Sequence, residues 1–309
     1  MKRDASAAWA TERERSNASA LRLMSWIALR CGRRIARGVL HLIALYFVLL
    51  APKARRASAR YLARVRGRPA RWREVYAHVF CFAATILDRV YFLRDCSQSI
   101  TIKVDGHHHV QACLDQGRGA VLLGAHIGSF EALRAAGRDR PELDIAMVMY
   151  PDNARLINAA LAAIAPDLVP DIIALGRPES MLQIRDRLAA NGMIGILGDR
   201  AVPGESARAT QVRLPFLGHE AVFSDGPFRL AALLRQRMVF MVALYTGGAT
   251  YEARFTPLAD FTQRPDDAAQ REQQIRAAMA TYVGHLESLC REMPYNWFNF
   301  HDFWREDGA

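Results

Sequence analysis

After residue 73 the chain alternates short apolar runs with amphipathic helical stretches, and this alternation restricts the fold more than any other feature. Apolar runs of about four to eight residues between turn signals fit strands buried on both faces, which need helices above and below. Strands are expected at Ser99–Val104, Ala120–Leu123, Leu143–Tyr150, Asp171–Leu175, Met193–Leu197, Met238–Tyr245 and Tyr251–Phe255. Helical spacing covers Trp72–Leu93, His107–Gln116, Phe130–Ala136, Asn153–Ile164, Glu179–Ala190, Asp225–Arg235 and Asp266–Cys290. Residues 201–224, punctuated by Gly and Pro, read as a loop beside the sheet. The expected class is α/β, a layered mixed sheet with flanking helices, occupying residues 74–309.

Charge separates that body from what precedes it. Residues 1–73 carry 18 Lys/Arg against three acids, a net +15, whereas the remaining 236 residues carry 23 basic and 28 acidic groups, a net −5. Within the basic quarter, residues 38–51 are the most apolar stretch of the chain and stop at Pro52. As a helix these positions reach ~21 Å, short of the roughly 30 Å hydrocarbon core of a bilayer. Arginines flank the run on both sides: Arg30, Arg33, Arg34 and Arg37 before it, Arg55, Arg56, Arg60 and Arg64 after it. Two cationic flanks suit a helix lying in one anionic leaflet. A short spanning anchor and a buried core helix stay open. A nucleic-acid arm has no reason to carry a continuous greasy run, so nucleic acid is not expected as a partner.

Five scattered cysteines without a C-x-x-C pair argue for reduced thiols, with neither a disulfide framework nor a Cys-based metal site. The polar first 20 residues do not resemble a cleavable signal peptide. His107, His108 and His109 are consecutive and so poorly disposed to share one ion, and no metal is expected. Gly124 and Gly128 suggest a dinucleotide turn, but Phe130 stands where the third glycine belongs.

Chemistry concentrates at residues 120–136, where a buried strand runs through a glycine-framed turn into a helix. The carboxyl end of such a strand is where α/β sheets bind ligands, and His126 occupies it. Glu131 follows on the first helical turn, so that a carboxylate could hold one imidazole nitrogen while the other accepts a proton. The alternative is a His and a Glu that merely cap a helix. Ser129 is a conceivable nucleophile but lies outside a G-x-S-x-G elbow. If the protein supplies no nucleophile, a substrate hydroxyl must.

The H-x-x-x-x-E motif of His126 to Glu131 resembles the lysophospholipid acyltransferase superfamily, and within it the bacterial lipid A biosynthesis acyltransferases. Further matches follow in order: Gly198-Asp199-Arg200 ending a strand, Pro215-Phe216-Leu217-Gly218, then Ala221, Phe223, Gly226 and Pro227, and the aromatic tail Pro294 to Phe300. The tail Asn299 to Trp304 lacks a His-Arg-Arg ending and looks more like acyltransferases of aryl polyene lipid clusters.

The resemblance implies a glycerol-3-phosphate acyltransferase-like sheet behind a membrane-associated helical segment (residues 1–73), at the cytoplasmic face of a bacterial inner membrane. It implies transfer of a fatty acyl group from an acyl carrier protein thioester to a hydroxyl of a lipid or lipid-linked acceptor, with anionic membrane lipids as partners and no cofactor. His126 would be the base and Glu131 its orienting carboxylate. Gly198, Asp199, Arg200, Arg208, Phe216, Gly218 and Phe223 would contact substrate, with Arg213 a weaker candidate. Arg200 would meet a phosphate or the developing oxyanion, or else pair structurally with Asp199 or Glu205; Phe216 and Phe223 would line an acyl groove. A water-using thioesterase and a catalytically silent lipid or acyl-carrier binder are the rival readings.

Overall fold

The computed structural model describes residues 18–94, 97–138, 140, 143–151, 153, 171–200 and 211–304. Three helices come first: α1 (Ala18–Leu50), α2 (Pro52–Arg66) and α3 (Trp72–Leu93). The body follows as β1 (Thr101–Asp105), α4 (His107–Asp115), β2 (Ala120–Gly124), α5 (Phe130–Ala136), β3 (Ile145–Met149), β4 (Ile172–Ala174), α6 (Pro178–Ala189) and β5 (Met193–Leu197). It continues with β6 (Gln211–Phe216), β7 (His219–Ser224), α7 (Gly226–Leu233), β8 (Arg237–Gly247), β9 (Thr250–Asp260) and α8 (Ala268–Glu292).

Seven strands form one sheet in the order β1-β9-β8-β2-β5-β3-β4. All neighbouring pairs are parallel except β8 and β9, so the sheet is mixed, as expected. β2 and β5 are its central strands. Ala120–Gly124 is buried throughout, which explains why its sequence is continuously apolar and not alternating. The helix expected over Asn153–Ile164 falls largely outside the described residues.

The loop expected over residues 201–224 needs correcting in its second half. Residues 211–224 make a separate two-stranded antiparallel hairpin, β6–β7. Leu217 and Gly218 turn it, both with positive φ (51° and 79°), the backbone of a tight hairpin whose twist matches its strands. Pro215 and Gly218 masked the strand signal, because Pro sits on an edge strand and Gly in the turn.

α1 is bent at Gly32 (φ 82°) and breaks from α2 by 94° at Pro52. It packs on α3 through Ala28, Ala36, Leu40, Ala44 and Val48, small or branched residues that permit close approach. Its other side is exposed and apolar, with Trp26, Ile35, Leu42, Tyr46, Leu49 and Leu50 all more than half exposed. This fits a membrane-associated segment. By length and composition α3 is the one described helix that could cross a bilayer alone, but 61% of its apolar window is buried against the protein, as in a core helix. α2 belongs to the main core: Tyr61, Leu62 and Val65 cluster with Trp297, Phe216 and the sheet.

One buried ion pair ties α1 to this body. Arg33 Nε and Nη2 meet the two oxygens of Asp88 at 2.7 and 2.8 Å, and Tyr251 donates its hydroxyl to the same carboxylate at 2.9 Å. The Asp88 side chain is fully buried. Asp88→Ala, which strands Arg33, is expected to lower unfolding free energy by about 3–5 kcal/mol. Arg33→Met combined with Asp88→Leu should recover most of that loss, as measured by denaturant unfolding in mild detergent.

Candidate active site

Register alone brings two of the expected site residues together. β2 and β5 pair in parallel with Gly124 opposite Leu197, so two residues further along each chain His126 meets Asp199. Gly198 N–H donates to the Gly124 carbonyl at 3.0 Å and carries the pairing past the strand ends. A side chain at Gly198 would press on Leu123 at 3.0 Å, so glycine suits this crossing.

The carboxylate on the His126 imidazole is therefore Asp199. Its Oδ1 lies 2.8 Å from Nδ1, and its Oδ2 accepts the His126 backbone N–H at 3.1 Å. The Trp297 indole N–H donates to the same Oδ2 at 3.0 Å. Asp199 is buried, and burial by itself favours the neutral acid; the facing imidazole, Arg200 and Trp297 outweigh this and hold the carboxyl well below the usual carboxylate range. An ionised Asp199 only accepts, so Nδ1 carries the proton that faces it, and in the neutral imidazole Nε2 is then the acceptor. Nε2 has no hydrogen bond among the described residues, and the His126 side chain is 33% exposed.

The expected pairing of Glu131 with His126 is thus corrected. Glu131 Oε1 lies 2.7 Å from Arg89 Nε, close in distance but not aligned as a hydrogen bond. Ser129 is the N-cap of α5, its Oγ accepting the Ala132 N–H at 3.2 Å, and it is buried. That role and burial leave it unsuited to attack a substrate.

The aromatic tail closes the turn from the other side. Phe298 N–H donates to the His126 carbonyl at 2.8 Å, and Gly128 N–H to the Asn296 carbonyl at 2.9 Å. Asn296 clamps the Tyr245 backbone from both ends, accepting its N–H at 2.7 Å and donating to its C=O at 3.0 Å. Gly128 has φ +66°, and a Cβ there would fall 1.8 Å from the Ala243 carbonyl oxygen, so only glycine lets the turn lie this close to β8.

The remaining expected site residues divide. Arg200 stays at the site, donating to the Phe298 carbonyl at 3.3 Å and lying near Asp199. Phe216 and Phe223 are not groove walls: both are buried in an aromatic core around Trp297 and Phe303, with ring centroids 5.3 to 5.8 Å apart. Gly218 serves the hairpin turn, Arg213 is exposed on β6, and Arg208 lies outside the described residues. Sequence reasoning missed Asp199 as the histidine's partner, and missed Trp297 and His301. For Asp199 the available signal was symmetric placement, since His126 and Asp199 each lie two positions past the end of an apolar strand. His301 lies near His126, Asp199 and Arg200; burial and then Arg200 depress its imidazole to about 4.

An imidazole with one nitrogen held by a carboxylate and the other open, at the carboxyl edge of a mixed sheet, is an arrangement that general-base chemistry can use. The chain matches the family described as bacterial lipid A biosynthesis acyltransferase over residues 20–306, and it belongs to that family. No curated protein matches it as an individual sequence. It is accordingly an acyltransferase of a membrane-associated family.

The tail also sets a pH dependence. His78 is fully buried between Ser58 Oγ (2.8 Å from Nδ1) and the Trp297 carbonyl (2.8 Å from Nε2), and burial lowers its imidazole to about 4. The unfolded chain takes up this proton near pH 6.5 and the folded one only near 4, so stability falls as pH drops across that window. The expected loss from His78 is about 3 kcal/mol between pH 6.5 and 4, at roughly 1.4 kcal/mol per pH unit. Denaturant unfolding at several pH values should give a flatter acid limb for His78→Gln than for the native chain.

Proposed function

We propose that the protein transfers a fatty acyl group from an acyl carrier protein thioester to a hydroxyl of a lipid or lipid-linked acceptor, of the lipid A or aryl polyene type. The observation that carries this reading is the open Nε2 of His126 behind a buried, ionised Asp199. In the proposed reaction the acceptor hydroxyl gives its proton to Nε2 as its oxygen attacks the thioester carbonyl. Asp199 stabilises the imidazolium that results. Collapse of the tetrahedral intermediate expels the carrier thiolate, which the imidazolium protonates. Atoms balance without a metal or a protein nucleophile. Arg200 supplies positive charge beside the pair, where an oxyanion develops.

The exposed apolar side of α1 supports work at a membrane, and we place the enzyme at the cytoplasmic face of the inner membrane, where acyl carrier protein is available. The exposed arginines beside that apolar side, Arg30, Arg34 and Arg56, suit anionic headgroups and an acidic carrier protein.

His126→Ala is expected to abolish transfer while leaving folding and vesicle binding intact. Asp199→Asn should lower kcat by about 10²–10⁴-fold, because an amide favours the wrong tautomer and no longer stabilises the imidazolium. Rates with acyl carrier protein thioester and detergent-solubilised acceptor measure both. An equal fall in Glu131→Gln with Asp199→Asn unaffected would return the orienting role to Glu131. Fatty-acid release that ignores added acceptor would instead make the protein a thioesterase.

A further inference from the structure

Hydrogen bonds run in series from α2 to the imidazole of His126, and only the last of them enters the chemistry above. Ser58 Oγ lies 2.8 Å from His78 Nδ1, and His78 Nε2 lies 2.8 Å from the Trp297 carbonyl oxygen. From the side chain of the same tryptophan the indole N–H meets Asp199 Oδ2 at 3.0 Å, and Asp199 Oδ1 faces His126 Nδ1 at 2.8 Å. Ser58, His78, Trp297 and Asp199 are all buried. The series joins parts of the chain that are remote in sequence: the helices ahead of the sheet, the C-terminal strap and the ends of β2 and β5.

The direction of each bond is determined. A carbonyl only accepts, so His78 Nε2 carries a proton. Burial keeps that ring neutral, which leaves Nδ1 as the acceptor and the Ser58 hydroxyl as its donor. An indole N–H only donates, so Asp199 Oδ2 is its acceptor. A side chain of different polarity at any step would leave a buried group unsatisfied, which costs more than the bond itself contributes.

Shape holds the indole as firmly as the bonds do. Tyr61, Phe216 and Phe303 meet its ring edge to face, with centroids 4.9 to 5.3 Å away. Tyr61 stands three positions along α2 from Ser58, so one face of that helix supplies both packing against the ring and the first bond of the series. Trp297 has no exposed surface with which to touch a substrate, so any effect it has on the reaction runs through Asp199. Without the indole, Oδ2 would keep only the His126 backbone N–H, and nothing outside the His126 turn would hold the carboxylate in the plane of the imidazole.

We propose that Trp297 is a positioning residue for the His126–Asp199 pair, and that Ser58 and His78 fix it there, so that α2 and α3 set the base as well as carrying α1. The effect on turnover rests on the acyl-transfer reading; the effect on the pair does not. The test removes single donors from the full chain in neutral detergent. It reads acyl transfer across a range of pH and, without substrate, the low-field resonance of the His126 Nδ1 proton in protein carrying 15N-labelled histidine. Trp297 is replaced by its sulfur analogue benzothienylalanine, which removes the N–H and keeps the shape of the ring. The expected result is a fall in kcat of about tenfold or more with KM unchanged, the loss of about one hydrogen bond to a charged group. The resonance should move, and the acid limb of the rate profile should shift to higher pH, because a carboxylate relieved of the indole attracts the imidazolium proton more strongly. Arg200, His301 and Tyr282 also face Asp199 and are the same in every variant, so the shift is not theirs. His78→Phe should give a smaller change of the same kind, and His78→Gln, with an amide donor in place of Nε2, should recover most of it. Native kcat and an unmoved acid limb after loss of the indole N–H overturn the positioning role. A lower kcat with resonance and acid limb unmoved makes Trp297 a packing residue and overturns it equally. His78→Phe that loses stability but keeps the native kcat and resonance removes Ser58 and His78 from the arrangement. A native chain that shows the resonance and its shift but transfers no acyl group overturns the acyl-transfer reading and leaves the positioning role standing.

Discussion

Asp199 accepts three N–H bonds from two remote parts of the chain: both the imidazole and the backbone of His126, and the indole of Trp297. A buried carboxylate is costly unless it is satisfied, and hydrogen bonds to a charged group are worth about 1.5–3 kcal/mol each. The arrangement therefore demands that three segments arrive together: the end of β2, the end of β5 and the C-terminal strap. The first two are delivered by parallel register and the third by Asn296 and Phe298 bonding to β8 and the His126 turn. The geometry of the candidate site and the closure of the fold thus depend on the same interaction. The aromatic tail, which by itself reads as a membrane belt or a packing strap, takes the second role: Trp297 is fully buried and Phe298 nearly so.

α3 extends this coupling outward. Along one helix, His78 reaches the Trp297 carbonyl, Asp88 holds Arg33 of α1, Arg89 meets Glu131, and Phe92 anchors Arg138. The apolar composition that would let α3 span a bilayer instead lets it be buried on one side by the body and on the other by α1. A rigid helix at this place holds α1 and the His126–Asp199 pair at a fixed separation.

Most elements were legible in the sequence because their signals were local. Trp72–Leu93, Phe130–Ala136 and Met193–Leu197 begin and end where apolar periodicity and flanking turn residues place them. The β6–β7 hairpin was hidden because Pro215 and Gly218 weaken a strand signal that non-local pairing with residues 219–224 restores. In the site, His126 could be found from a strand–turn–helix pattern. Its carboxylate could not be chosen between Glu131 and Asp199 by spacing along the chain. Five residues separate His126 from Glu131 and 73 separate it from Asp199, yet adjacent parallel strands erase the second separation. Phe216 and Phe223 failed as groove residues for the commoner reason that an aromatic side chain facing Trp297 and Phe303 is core.

The net charge of the basic N-terminal quarter conflates arginines spent inside the fold with arginines left exposed. Arg33 is spent on Asp88, Arg60 on Asp302, Arg64 on the face of the Trp304 ring at 4.2 Å, and Arg68 on Glu74 at 2.7 Å. The Arg60 and Arg64 contacts fasten α2 to the very tail whose Trp297 holds Asp199. A positive segment behind a negative body is thus partly an internal attraction that closes the chain on itself. What remains exposed to solvent is a smaller set, including Arg30, Arg34 and Arg56. Salt should then act at two ranges. Charges on exposed arginines are screened beyond a Debye length of about 8–10 Å, whereas the buried Arg33–Asp88 pair is screened far less and keeps α1 on the body.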